Sequence, residues 1–152
     1  MTTLPMMHVG DTVNHLIEVC RDGEEGFKTA ADAVNPMPLK TELLKYSRDR
    51  AGFANALSHA MEQMGQAHVN HGTASGLVHR GWINLVRLKP GGNEHAVLAA
   101  CESGEDAAVD AYNDAMREHL PGRVGELVAA QFQVVKGTHD RIRNLRDLAG
   151  EA

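Results

Sequence analysis

Leu16-Ile17-Glu18-Val19-Cys20-Arg21-Asp22-Gly23-Glu24-Glu25 recurs later in the chain as Val97-Leu98-Ala99-Ala100-Cys101-Glu102-Ser103-Gly104-Glu105-Asp106. Both stretches read apolar-apolar-x-x-Cys-x-x-Gly-Glu-acidic. Their apolar residues and the cysteine return at spacings of three and four, the period of an amphipathic helix. A second similarity follows each copy, Arg48-Asp49-Arg50 against His139-Asp140-Arg141. A duplicated helical hairpin explains both matches at once.

Turn chemistry marks where the helices stop. Asn35-Pro36-Met37-Pro38, Pro90-Gly91-Gly92-Asn93 and Pro121-Gly122 are strong breakers. The first helix is expected from an N-cap at Gly10-Asp11 to Asn35, with Val13, Leu16, Ile17, Cys20, Phe27, Ala31 and Val34 on one face. The second runs from about Leu39 to Gln66 and carries Leu43, Tyr46, Phe53, Leu57, Met61 and Met64. The third begins at an Asn93 cap with Glu94 in its first turn and reaches about His119; its face is Leu98, Cys101, Val109, Tyr112 and Met116. The fourth, from about Val124 to Leu148, uses Leu127, Val134, Ile142, Leu145 and Leu148.

Roughly 25 residues separate the second and third helices, long for a connection within a bundle. Leu77, Val78, Trp82, Leu85 and Val86 recur there at helical spacing and predict a short helix crossing the bundle. Two short connections flanking one long one is the wiring of an all-α, ferritin-like four-helix bundle. One domain is expected over residues 1–152, with its core at about 11–149 and the crossover at about 67–93.

Composition agrees and narrows the functions. Of 152 residues 43% are hydrophobic, enough for a core, while aromatics are only 4%, too few for a typical β-sandwich. Fifteen Lys and Arg against 20 Asp and Glu give a net charge of -5, so the basic excess of a general nucleic-acid binder is missing. The start, Met1-Thr2-Thr3-Leu4-Pro5-Met6-Met7-His8, shows neither a basic region nor a sustained apolar run, and no stretch approaches the roughly 18 apolar residues of a membrane span. A cytoplasmic setting is the expectation, with no membrane and no nucleic-acid partner. No Ser-His-Asp order, glycine-rich phosphate loop or HExxH motif appears, so no catalytic residue is assigned.

The polar residues on the apolar stripes carry the functional question. Glu24 follows Cys20 by four, and Glu105 follows Cys101 by four, so both project from the seam. Arg50 lies between Tyr46 and Phe53, and His139 lies between Val135 and Ile142. A carboxylate in an apolar seam costs several kcal/mol unless it is paired or bound to metal. These groups should therefore meet.

Two arrangements satisfy them. In the first, Glu24, Glu105, His139 and Asp49, with Asp140 nearby, hold iron or manganese. Carboxylate bundles of this type need a Glu-x-x-His pair on two helices. Here Lys136 precedes His139 by three, and the second helix offers Tyr46-x-x-Asp49, so a full di-iron set is absent. In the second, Arg50 and Arg141 neutralise Glu24 and Glu105, while Tyr46 or Tyr112 donates to a carboxylate. A cation in the seam competes with a metal for the same oxygens.

Cys20 and Cys101 stand 81 positions apart and read as small buried hydrophobes rather than a redox pair. Two-fold related hairpins would put them about 12 Å apart, beyond disulfide reach. Of nine histidines, His68, His71 and His79 cluster in the connection after the second helix and read as solvated loop residues. Trp82 reads as a plug over one side of the core. Arg141, Arg143 and Arg146 near the end of the last helix suit its dipole.

Five stretches together give the chain a likeness. Cys20-Arg21-Asp22-Gly23-Glu24-Glu25-Gly26-Phe27, Arg50-Ala51-Gly52-Phe53, His79-Arg80-Gly81-Trp82-Ile83-Asn84, Cys101-Glu102-Ser103-Gly104-Glu105-Asp106-Ala107-Ala108 and His139-Asp140-Arg141-Ile142-Arg143 resemble a bacterial ferritin-like family of unknown function, distantly related to rubrerythrins. The resemblance spans about Val13 to Leu148. It implies a ferritin-like fold, metal binding, oligomerisation and an association with stress, and it carries over Glu24 and Glu105 as paired carboxylates. It implies no established reaction. The expectation is a non-catalytic or weakly metal-binding bundle, with a homodimer as its assembly. The alternative is an iron- or manganese-dependent protein with oxygen or peroxide chemistry at Glu24, Glu105 and His139.

Overall fold

A computed structural model describes residues 6–65, 81–88 and 93–151. Five helices follow one another: α1 (Met6–Ala33), α2 (Met37–Gln63), α3 (Ile83–Val86), α4 (Glu94–Arg117) and α5 (Gly122–Glu151). Among the described residues there is no strand, and no helix is long and apolar enough to cross a membrane.

The breakers act where the sequence places them. Pro36 is the N-cap residue of α2, with a second proline in the first turn, where a missing N–H costs nothing. Asn93 caps α4, its side-chain oxygen accepting from the Ala96 N–H at 3.1 Å. One boundary differs from expectation: α1 begins at Met6, upstream of Gly10-Asp11. Val9 is fully buried beside Val13, so the apolar stripe continues through the proposed cap and packing overrides it.

Side-chain contacts fix the direction of each helix. Lys40 Nζ donates to the Ala31 carbonyl at 2.9 Å and Arg21 Nη2 to Asn55 Oδ1 at 2.7 Å, so α1 and α2 run antiparallel. His8 and Thr12 reach Glu118 at 3.0 and 2.5 Å, and Cys20 reaches Tyr112, so α4 is antiparallel to α1. Arg146 meets Glu102 and Gln131 meets Tyr112, making α5 antiparallel to α4. The order is up, down, down, up. The end of α2 and the start of α4 therefore lie at opposite ends of the bundle. The chain between them must travel the length of a helix, about 35–40 Å at 1.5 Å per residue. That is the ferritin-like wiring.

Of the crossover, residues 81–88 are described, and α3 lies within them. Leu77, Val78, His68, His71 and His79 lie outside the described residues. Trp82, only 2% exposed, is the expected plug, with its ring between α1 and α4. A Cβ at Gly26 would come within 2.5 Å of that ring, and one at Gly104 within 2.1 Å. The two glycines form the slot that admits the indole.

The interior splits into two apolar clusters. One gathers Val13, Leu16, Leu57, Tyr112 and Val128 towards the start of α1; the other gathers Phe27, Leu43, Trp82, Leu98 and Ile142 towards its end. Between them lies a polar layer of buried Asp22, Ser47, Arg50, Glu105, Thr138 and His139.

The face of α5 corrects the sequence expectation. Val124, Val128, Val135 and Ile142 are buried, whereas Val134 is 43% and Leu148 61% exposed. Val134 and Val135 are adjacent and equally apolar, so hydrophobicity alone allows two registers; packing against α4 selects Val135.

Candidate functional site

The polar layer is built around one buried ion pair. Arg50 belongs to the buried α2 stripe of Ser47, Ala54 and Leu57, and Glu105 to the α4 stripe of Cys101, Ala108 and Tyr112. Both helices therefore turn a charge inward at the same level. Arg50 Nη1 donates to Glu105 Oε1 at 2.6 Å and Nη2 to Oε2 at 2.5 Å, with side chains 2% and 0% exposed. The fork geometry satisfies both carboxylate oxygens at once. The guanidinium carbon also stands 5.4 Å from the centre of the Phe27 ring. Gly23 leaves room for it: a Cβ there would meet Arg50 Cγ at 3.1 Å. Burial works against the arginine's charge, and Glu105 more than offsets this, holding the guanidinium above its ordinary value.

A neutral hydrogen-bonded chain adjoins the pair. Gln131 Nε2 donates to the Phe53 carbonyl at 3.3 Å, which turns its Oε1 to accept from the Tyr112 hydroxyl at 2.7 Å. Cys20 Sγ lies 3.0 Å from the same hydroxyl. Burial pushes the Cys20 thiol up to about 11 and raises Cys101 and Tyr112 as well. Both cysteines are free and buried, as small apolar residues.

The structure distributes the sequence candidates over separate places. Glu24 is half-buried and pairs with Arg21 at 3.0 Å, one turn away on its own helix, so it does not join Arg50. Arg141 binds Glu42 through Nε at 2.8 Å and Nη2 at 3.0 Å, and not Glu24 or Glu105. The Tyr46 hydroxyl also donates to Glu42. Asp49 pairs with Lys45 at 3.0 Å on the outside of α2. His139 is buried but directs its ring at Asp106 and Asp140. The expectation that the polar groups of the seam meet one another thus holds for Arg50 with Glu105 and fails for Glu24 and His139. One helical position decides this: the rotation of α1 that buries Cys20 and Phe27 leaves Glu24 at the edge of the stripe.

The interior donors do not fit the metal centre that the family likeness implies. Both oxygens of Glu105 face a guanidinium, and no second carboxylate or imidazole from Glu24, Asp49 and His139 is brought to them. Among the described residues, a group of potential metal ligands stands elsewhere, at Glu102, Asp106 and His139, with ligand atoms within 4.8 Å of one another.

Four buried polar residues, Asp22, Ser47, Gln131 and Thr138, escape the sequence candidates, as do Glu102 and Asp106 beside His139. Asp22 is 1% exposed, on a second α1 stripe with Val19, Gly26 and Ala30. That three- and four-residue spacing is visible in the sequence, and it is the side of α1 that meets Trp82 at Gly26. Gln131 has no such signal, since a lone glutamine on α5 becomes a partner only through Tyr112 and Phe53.

A family model described as a domain of unknown function (DUF2383) matches residues 8–118, which run from α1 through α4. No curated protein matches the chain.

Proposed function

The chain belongs to the DUF2383 family, and from that premise we propose that it is a non-catalytic, ferritin-like bundle of the rubrerythrin-related kind, associated with stress and acting through self-association as a homodimer. One observation supports this above the others. The bundle core, where carboxylate bundles build their metal sites, here contains a buried, fully paired Arg50–Glu105 bridge. A guanidinium in that place supplies the positive charge a metal would otherwise bring. It has no open coordination position and no redox chemistry. Such a layer gives the four helices a defined register without a reacting centre.

Elemental analysis of protein purified from its native host tests the reading. The expected result is that wild type and the Glu24→Gln/Glu105→Gln double variant carry the same metal content. Stoichiometric iron or manganese in wild type that this variant loses would establish an interior metal centre and overturn the proposal. Sedimentation showing a monomer at micromolar concentration would remove the homodimer.

A further inference from the structure

We propose that Glu102, Asp106 and His139 bind one divalent first-row transition ion on the outer seam between α4 and α5. The site shares no residue with the Arg50–Glu105 pair, although His139 belongs to the same polar layer, and it does not depend on the function proposed for that pair.

Glu102 and Asp106 are one turn apart on α4, so their carboxylates lie above one another on one face. His139 comes from the antiparallel α5 and closes the third corner. Its Nε2 stands 2.6 Å from Asp106 Oδ1, and the ligand atoms of all three residues lie within 4.8 Å. Donors about 2.1 Å from a tetrahedral ion sit about 3.4 Å apart, so a small opening of the His139–Asp106 contact admits the metal. Asp106 can supply that movement, because its side chain is 60% exposed.

Two further observations point to a cation rather than to a surface cluster of acids. First, the histidine side chain is 9% exposed and its second nitrogen, Nδ1, lies 3.3 Å from Asp140 Oδ1. A carboxylate on the far nitrogen is the arrangement that fixes the tautomer and orientation of a metal-bound imidazole. Second, Glu102 Oε2 is buried and is already met by a cation, Arg146 Nη1 at 2.7 Å, which an incoming ion would replace. Arg143 approaches the other oxygen only to 4.0 Å. Arg146 also reaches Asp147 at 2.8 Å, so it keeps a partner if a metal takes Glu102.

The donor set selects the ion class. One imidazole with two carboxylates suits zinc, manganese or ferrous iron better than calcium or magnesium, which prefer oxygen alone. The exposed edge at Asp106 leaves the remaining positions to water. Such an ion would tie α4 to α5 across the second hairpin, where the first hairpin has no counterpart: Arg48 occupies the position matching His139.

The test is a zinc titration of the EDTA-treated full chain near neutral pH, read by competition with a chromogenic chelator. One equivalent is expected to bind, with Asp106→Asn and His139→Ala each weakening it at least about tenfold. His68→Ala/His71→Ala/His79→Ala and Glu105→Gln should leave that equivalent in place. Asp106 is exposed, so its variant keeps the test decisive if His139→Ala fails to fold. Unchanged binding in Asp106→Asn, or loss of binding in the triple histidine variant, would overturn the site. Loss in a Glu105→Gln variant that circular dichroism shows to be folded would instead overturn the interior reading together with this one.

Discussion

Arg50 and Arg141 occupy matching places in the two halves of the duplication, yet they do different work. Arg50 is buried against Glu105 with both oxygens engaged. Arg141 is half-exposed and holds Glu42 on the surface. The glycines that open the two halves differ in the same way. Gly23 makes room for the Arg50 side chain, while its repeat partner Gly104 makes room for Trp82. A duplicated chain with two hairpins has one crossover, and that crossover can cover one side only. The indole fills the opening at Gly104, which it shares with Gly26 of the first half, and the arginine fills the opening at Gly23. Sequence symmetry is thus broken by the connection rather than by the helices.

The sharpest way to break this comparison is to remove the buried cation. Arg50→Leu leaves Glu105 charged and unpaired in the core and should cost about 3–5 kcal/mol, read by urea unfolding. Adding Glu105→Leu should restore most of that loss, since a buried pair replaced by apolar groups is often neutral. A single variant as stable as wild type would show that the pair is hydrated in solution and that the two halves do not differ.

The glycines provide the next contrast. Gly104→Ala drives a methyl into the Trp82 ring and should cost about 1–3 kcal/mol, with a shift in tryptophan fluorescence. Gly23→Ala meets only the edge of the arginine chain, and the better helix propensity of alanine offsets about 0.5–1 kcal/mol of the crowding. Its net effect should be near zero. Equal costs would mean that both slots are equally tight.

Tyr112→Phe tests the neutral chain beside the pair. It removes the donor to Gln131 and the contact with Cys20, and a loss of about 1 kcal/mol is expected from thermal or urea unfolding. An increase in stability would remove the chain from the account of the polar layer.

The smallest effect belongs to the surface arginine. Arg141→Leu should cost about 0.2–1 kcal/mol, and less in high salt. It should also change the acid side of the stability profile. Arg141 hydrogen bonds, against partial burial and with help from Tyr46 and Lys45, hold the Glu42 carboxyl below its ordinary value of 4.5. Because the folded value is depressed, this stabilisation is present above 4.5 and is lost as the pH falls through the folded value. Wild type and variant should therefore differ near neutrality and converge in acid. A gap that persists at low pH would assign the effect to packing of the arginine stem.

Much of the frame was legible in the residues. All seven residues assigned to the α1 face are buried, because they recur at helical spacing from Val13 to Val34. The Asn93 cap and the proline stops act locally and need no tertiary partner. Trp82 was readable as a plug because it is the largest apolar side chain in the crossover. The α5 face was less legible, since neighbouring valines support two rotations of the helix. Glu24 and His139 mark the same limit in the site. Each has the right spacing from its apolar neighbours, yet spacing sets a side chain's angle only to within a residue, and one residue is about 100° of rotation.

By itself, then, the amino-acid sequence determined the helices, their duplication, the long connection between the halves and the presence of charges on the inward faces. These follow from period and turn chemistry, which act within a few residues. Which charge meets which was decided only by the tertiary structure. Glu105 finds Arg50, Glu42 takes Arg141 and His139 joins Asp106 because helix rotation, the Gly23 and Gly104 openings and the single crossover bring groups together that are 33 to 99 positions apart. Pairing energies fall steeply with distance and rise with burial, so they are fixed only when the packing is.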